Sequence, residues 1–229
     1  MIAEALAEVR ARLERAARAA GRDPAAVTLV AVSKTKPVEA IREAYAAGQR
    51  VFGENYAQEL ATKAEALSDL DIAWHFIGHL QSNKAKLVAR AANVTHTVDS
   101  PALAKVLGRR VASEGRAPMP VLIEVNVSGE AQKHGAAASE IAEVMDAVRA
   151  EPALVLRGLM TMPPADDLAL AKKTFETLVS LRQLHGGAAV LPELSMGMSN
   201  DFELAIACGA TLVRVGSAVF GARAGGARF

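Results

Sequence analysis

Residues 27–37 read VTLVAVSKTKP. In an extended chain, side chains alternate between two faces. Thr28, Val30, Val32 and Lys34 therefore share one face, and Val27, Leu29, Ala31 and Ser33 share the other. Both faces are apolar until the run ends. That is the pattern of a strand covered on both sides, as in a parallel sheet flanked by helices. The run then stops at Ser33–Lys34, and an amine follows directly on a buried strand.

Seven further runs of this kind follow: RVFGEN (50–55), WHFIG (74–78), THTVD (95–99), PVLIEVNVS (120–128), LVLRGLM (154–160), ELSMG (193–197) and TLVRVGS (211–217). Between them lie segments of helical spacing, among them PVEAIREAYAAG, YAQELATKAEALS, PALAKVLGRRVASEG and DDLALAKKTFETLVSLRQLH. Alternation of strand and helix predicts a parallel sheet. Eight strands at intervals of roughly 20–35 residues predict a single (β/α)8 barrel, with an open doubly wound sheet as the alternative. Ile2, Leu6, Val9 and Leu13 recur at helical spacing, which predicts an extra N-terminal helix over residues 2–20 with Gly21 as its stop. No segment has the composition of an interdomain linker, so residues 1–229 are read as one domain. The tail GARAGGARF is expected to fray.

Composition narrows the function. The 229 residues are 51% hydrophobic and 22% charged, with a formal net charge of +1. That balance argues against nucleic-acid binding by phosphate neutralisation. No apolar run reaches the roughly 18 residues of a membrane span, and the N-terminus lacks the apolar centre of a signal peptide. The single cysteine, Cys208, cannot form an intrachain disulfide, which fits a reducing compartment. Its apolar neighbours predict a small buried filler. No spacing of His, Cys, Asp and Glu suggests a metal site. His75 and His79 are four apart, but on a strand end and a loop.

In a barrel of this kind, functional groups sit where strands end and the following loops begin. Lys34 is there. It is either a lysine that snorkels out of a strand end or a nucleophilic amine whose ammonium form is disfavoured by burial. Arg214 lies within an apolar strand and shares a face with Leu212. A guanidinium there needs a partner, either a carboxylate such as Glu124 or a ligand. Gly216–Ser217 ends the last strand before a short helical turn, and SMGMSND follows the strand before it. Free backbone N–H groups and hydroxyls in such loops suit a phosphate. Ser199 or Asn200 could instead cap the helix that begins near Asp201.

Six stretches, LVAVSKTKP, FGENYAQE, WHFIGHLQSNK, RGLMTM, LSMGMSNDFELAI and VRVGSAVFGAR, together resemble the pyridoxal phosphate homeostasis protein family. The resemblance runs over essentially the whole chain in order. It implies a TIM barrel like the N-terminal domain of bacterial alanine racemase, cytoplasmic and monomeric, that binds pyridoxal 5′-phosphate (PLP). By this resemblance Lys34 forms the internal aldimine and Arg214 faces the pyridine nitrogen. Gly216, Ser217 and Ser199 hold the phosphate, Asn55 lies beside the ring, and Met160 and His75 line the cavity. Lys36, just before Pro37, is expected outside. SGEAQKHG (128–135) resembles a family loop in which Lys133 and Gly135 are the recognisable positions.

The implied role is to store, buffer or deliver PLP, with PLP-dependent apo-enzymes as recipients and indirect effects on amino-acid and keto-acid metabolism. The alternative is a weak PLP-dependent amino-acid racemase. An arginine does not readily give its proton to a pyridine nitrogen, so the ring would be a poorer electron sink than with an aspartate there, although alanine racemase uses the same arrangement. Tyr45 and Tyr56 lie in early helical segments and the chain stops soon after the eighth strand. A second acid–base group for racemisation is therefore not expected.

Overall fold

The computed structural model describes residues 1–128, 134–164 and 167–221. At its centre eight parallel strands pair in sequential order and close into a barrel. They are β1 Thr28–Val32, β2 Val51–Glu54, β3 Ala73–Phe76, β4 Val94–Val98, β5 Met119–Glu124, β6 Leu154–Met160, β7 Glu193–Ser195 and β8 Leu212–Val215. Closure is made by β1 against β8, with Thr28 opposite Leu212 and Ala31 opposite Val215. Around the strands run α1 Ile2–Ala19, α2 Val38–Ala46, α3 Ala57–Ala66, α4 Ala85–Ala91, α5 Pro101–Ser113, α6 Ile141–Arg149, α7 Leu168–Leu184, α8 Gly187–Val190, α9 Phe202–Ala207 and α10 Ser217–Phe220.

The two-faced strand pattern has a direct counterpart in packing. Val30, Leu122, Met160 and Leu212 meet inside the barrel, with Val51 and Val94 against them. Leu29, Ala31, Phe52, Val121, Ile123, Leu159 and Val213 belong to the larger core between strands and helices. β1 and most of β5 are thus apolar on both faces, whereas β4 and β7 bury polar side chains, Thr95, His96, Thr97 and Ser195.

The N-terminal helix covers a gap in the outer ring. The helices after β7 and β8 are only six and four residues long. α1 packs against α9, α10 and α2. It buries Leu6, Val9, Leu13 and Ala17. Arg12 Nε donates to Glu203 at 2.7 Å, and its guanidinium lies 4.7 Å from the Phe202 ring centre. Arg22 Nη1 donates to the Ile206 carbonyl at 2.8 Å.

Two local readings need correction. The run at 120–128 is too long as a strand: β5 ends at Glu124, and Val125 makes one isolated bridge to Ala136. The chain turns back there through Gly135 at φ 112°, where a side chain would meet the Asn126 amide. Cys208 is half-buried rather than core, and burial pushes its thiol pKa up. No helix among the described residues is long and apolar enough to cross a membrane. Lys133 and the tail beyond Gly221 lie outside the described residues.

Leu6 is fully buried under α1. Leu6→Ala is expected to cost about 2–5 kcal/mol, the usual range for a fully buried leucine. Urea unfolding would register this as a lower midpoint at unchanged slope, and an unchanged midpoint would show that α1 does not cover the barrel.

Candidate functional site

The polar residues singled out from the sequence converge on one cavity at the carboxyl ends of the strands. It has a volume of about 570 Å³, and Lys34, Asn55, Ser199, Arg214, Gly216 and Ser217 all line it, with Val32 and Ile77 below. Each comes from the loop after a strand or from the last turn of one. Lys34 follows β1, Asn55 follows β2, Ser199 follows β7, and Gly216–Ser217 follow β8. Strand parity places Lys34: residue 30 packs inside the barrel, residue 32 lines the cavity floor, and residue 34 comes next on that face.

The lysine sits in a constrained turn. Thr35 has φ 63°, the only left-handed non-glycine among the described residues. That conformation costs a β-branched residue roughly 1–2 kcal/mol. It persists because the groups on either side of Lys34 are held. Lys36 N donates to the Ser33 carbonyl at 3.0 Å, and Thr35 N donates to Glu59 Oε1 at 2.7 Å. Lys36 lies past the strand end, as its position before Pro37 suggests, but it also lines the cavity. Its Nζ donates to the carbonyls of Phe220 at 2.8 Å and Gly221 at 3.2 Å. It thereby ties the β1 loop to the end of α10.

Arg214 is 4% exposed and makes no ion pair among the described residues. Nη1 donates to Ser195 Oγ at 2.6 Å and Nη2 to the Thr161 carbonyl at 2.9 Å. A guanidinium has five N–H donors, so these two bonds leave donors for the cavity. Burial lowers its pKa to about 10, with Glu124 and Asp201 pulling the other way, so it is cationic at neutral pH. Glu124 is therefore a distant electrostatic partner, not a contact. Burial and the nearby Asp99 push Glu124 up to about 7, and its Oε2 has no partner among the described residues.

Behind Arg214 runs a buried chain that sequence reasoning missed. Ser195 Oγ lies 2.9 Å from His96 Nδ1, and His96 Nε2 lies 2.9 Å from His75 Nδ1. Arginine only donates, so the Ser195 hydroxyl proton is available to His96 Nδ1. His96 then carries its proton on Nε2 and donates it to His75. Burial lowers His75 to about 4, and burial together with His75 and Arg214 holds His96 well below its ordinary value. Both rings are neutral, as a site beside a buried cation demands. His75 is thus part of the interior wiring, and Met160 belongs to the apolar plug; neither lines the cavity.

The remaining walls came without a clear signal in the sequence. Met162, Pro164, Asp167 and Leu168 line one side of the cavity from the β6–α7 connection. Met162 and Leu168 are 44% and 60% exposed, an apolar lip at the mouth. Ser199 does not cap α9; Asp201 holds that position and accepts from Met198 N. Ser199 Oγ instead accepts from Ala218 N at 3.4 Å, joining the last two loops. Of the 128–135 loop, His134 stacks on His79 with ring centres 3.6 Å apart.

The donor set fits PLP. Asn55 Oδ1 is buried with no partner among the described residues. The Asn55 backbone packs directly on Gly78, where a side chain would collide with its carbonyl oxygen. At Gly216 a Cβ would come within 3.3 Å of Val32, so the β8 loop lies close on the strand beside Lys34. An amine, a buried cation with spare donors, and a loop with serines match an aldehyde, a ring nitrogen and a phosphate.

Because the folded histidines are held neutral, their contribution to stability is complete above about pH 6.5, their ordinary value. It is lost as the pH falls from there toward 4, as the unfolded chain takes up protons that the folded one refuses. Wild type is expected to lose more urea resistance between pH 7 and 5 than His96→Gln. Glu54 and Glu124, which titrate in the opposite sense, are common to both proteins. Equal losses in the two would show that His96 is not held neutral.

Comparison with known proteins gives a consistent picture. The family model described as alanine racemase, N-terminal domain, matches residues 5–224. The pyridoxal phosphate homeostasis protein of Pseudomonas aeruginosa is 50% identical, covering 99% of this chain and 97% of its own. PipY of Synechococcus elongatus, in a structure with PLP bound, has a TM-score of 0.80 at 38% identity, covering 96% of this chain and all of that one. The alanine racemase of Corynebacterium glutamicum shares the fold, with a TM-score of 0.66 at 21% identity over 95% of this chain and 60% of its own.

Proposed function

The chain belongs to the pyridoxal phosphate homeostasis protein family, and from that premise we propose that it binds PLP on Lys34 and serves cellular vitamin B6 balance. The reading treats residues 1–229 as one such domain, monomeric and cytoplasmic, with no reaction of its own. Apo-enzymes that need PLP would receive the cofactor, and effects on amino-acid and keto-acid metabolism would follow indirectly. The observation that carries the reading is the convergence of Lys34, Asn55, Ser199, Arg214, Gly216 and Ser217 on one cavity. The PLP-bound PipY structure at 38% identity supports the choice of ligand.

When bound, PLP supplies an aldehyde for an amine and a pyridine ring that can withdraw electrons. The chain's residues do the rest. Lys34 Nζ would hold the cofactor by its aldehyde. Gly216, Ser217 and Ser199 hold the phosphate through backbone N–H groups and hydroxyls. Arg214 donates toward the pyridine nitrogen and keeps its own proton. Asn55 orients the ring from beside it. Val32 and Ile77 exclude water from the floor. With an arginine rather than a carboxylic acid facing the nitrogen, these residues hold the cofactor well and activate it poorly. That balance suits storage and release. For release, Lys34 would give up the aldehyde to an incoming amine.

Two measurements test this. Purified protein with PLP is expected to absorb at about 420 nm, as a protonated Schiff base of this cofactor does, and borohydride should trap the link. Lys34→Ala is expected to lose both; a variant that keeps the trapped adduct removes Lys34 from its role. In heavy water with L-alanine, the holoprotein is expected to leave the α-proton signal intact over hours. Its rapid loss would favour the second reading, a weak racemase.

A further inference from the structure

On the outer face of the barrel, directly behind Lys34, lies a buried cluster that the cavity does not use. Lys63 of α3 is 5% exposed, and its Nζ makes three short bonds: to the Ser33 carbonyl at 2.7 Å, to Glu54 Oε1 at 2.8 Å and to Glu59 Oε1 at 2.7 Å. Ser33 Oγ donates to the same Glu54 oxygen at 2.6 Å. Glu59 Oε1 also accepts from Thr35 N at 2.7 Å. The backbone groups on both sides of residue 34 are therefore gripped by two side chains one turn apart on α3.

We infer that Glu59 and Lys63 are positioning residues that preset the Lys34 amine for covalent capture of the cofactor aldehyde, through the Ser33 carbonyl and the Thr35 amide. The inference rests on the reading of Lys34 given above. Three observations carry it. Thr35 is in a left-handed conformation that a β-branched residue does not hold unaided, and its amide is tied to Glu59. Lys63, 5% exposed, spends its ammonium on a strand-end carbonyl. A buried ammonium paired with the buried Glu54 carboxyl is also costly to keep when apolar residues of the same volume would pack as well. Held this way, the chain points residue 34 at the cavity before any ligand arrives. The bond then forms as the amine displaces the aldehyde oxygen as water. Misplacement of a reacting group by about 1 Å can cost about a hundred-fold in rate.

The test separates capture from binding. Apoprotein is mixed with PLP and the rise at about 420 nm is followed. Affinity for 4-deoxypyridoxine 5′-phosphate, which keeps the ring and phosphate but has no aldehyde, is measured alongside. Glu59→Ala is expected to slow capture about ten- to a hundred-fold while analogue affinity stays within about two-fold. Glu59→Gln keeps an acceptor for the Thr35 amide and is expected to recover most of the rate. Lys63→Met, which keeps the volume and removes the grip on Ser33, should slow capture likewise. Wild-type capture rates in both Glu59→Ala and Lys63→Met would overturn the inference. So would a parallel loss of capture and analogue binding, which marks general damage to the fold. A wild-type protein that forms no band sinks the Lys34 assignment itself, a different result from either.

Discussion

Parallel closure of the barrel is the constraint on which the site depends. With all eight strands running one way, every carboxyl end emerges at the same rim. With β1 hydrogen-bonded to β8, residues far apart in sequence become neighbours: Val30 lies opposite Arg214 in the ladder. Inward parity does the rest. Positions 30, 32 and 34 on β1 and positions 212 and 214 on β8 step up the interior from plug to cavity. An open sheet with the same strands would leave β1 and β8 at different edges, and the amine and guanidinium would not share a pocket.

Among the described residues, two cations are buried near this rim, Lys63 and Arg214, and they are satisfied differently. Lys63, outside the barrel, is paired with Glu54 and Glu59 at contact distance. There the pull of burial raises Glu54 to about 7, opposed by Lys63 and Ser33. Arg214, inside, is given a hydroxyl and a carbonyl, and its nearest carboxyls act only at a distance. Lys63 spends its three N–H donors on Ser33, Glu54 and Glu59 and has none left for a ligand, whereas Arg214, held by two neutral acceptors, keeps unspent donors. The neutral His96–His75 chain behind Ser195 belongs to the same solution, because a second positive charge beside Arg214 in that interior is disfavoured.

The loops that complete the cavity are tied to one another as much as to the barrel. Lys36 spans from the β1 loop to the carbonyls that end α10, and Ser199 reaches from the β7 loop to the amide of Ala218. α1 covers the short helices α9 and α10 from outside. A four-residue helix has little stability of its own. Its position beside Lys34 is set by these three attachments.

The sequence by itself determined the strand count, the parallel order, the N-terminal helix and the six residues that converge. Alternation of apolar runs with helical spacing, and a charge at the end of a doubly apolar strand, are local facts that survive folding. It misjudged what lies one layer away. His75 looked like a cavity residue and Met160 a wall, because a strand end does not reveal how deep in the barrel it sits. The partner of Arg214 was equally hidden: Glu124 was the natural carboxylate, but Ser195 and Thr161 stand closer, and only the stagger between strands decides that. The Lys63–Glu54–Glu59 cluster and the Met162–Leu168 lip were chosen by tertiary structure alone. Both depend on which helix face meets which loop, a long-range packing choice that no local spacing encodes.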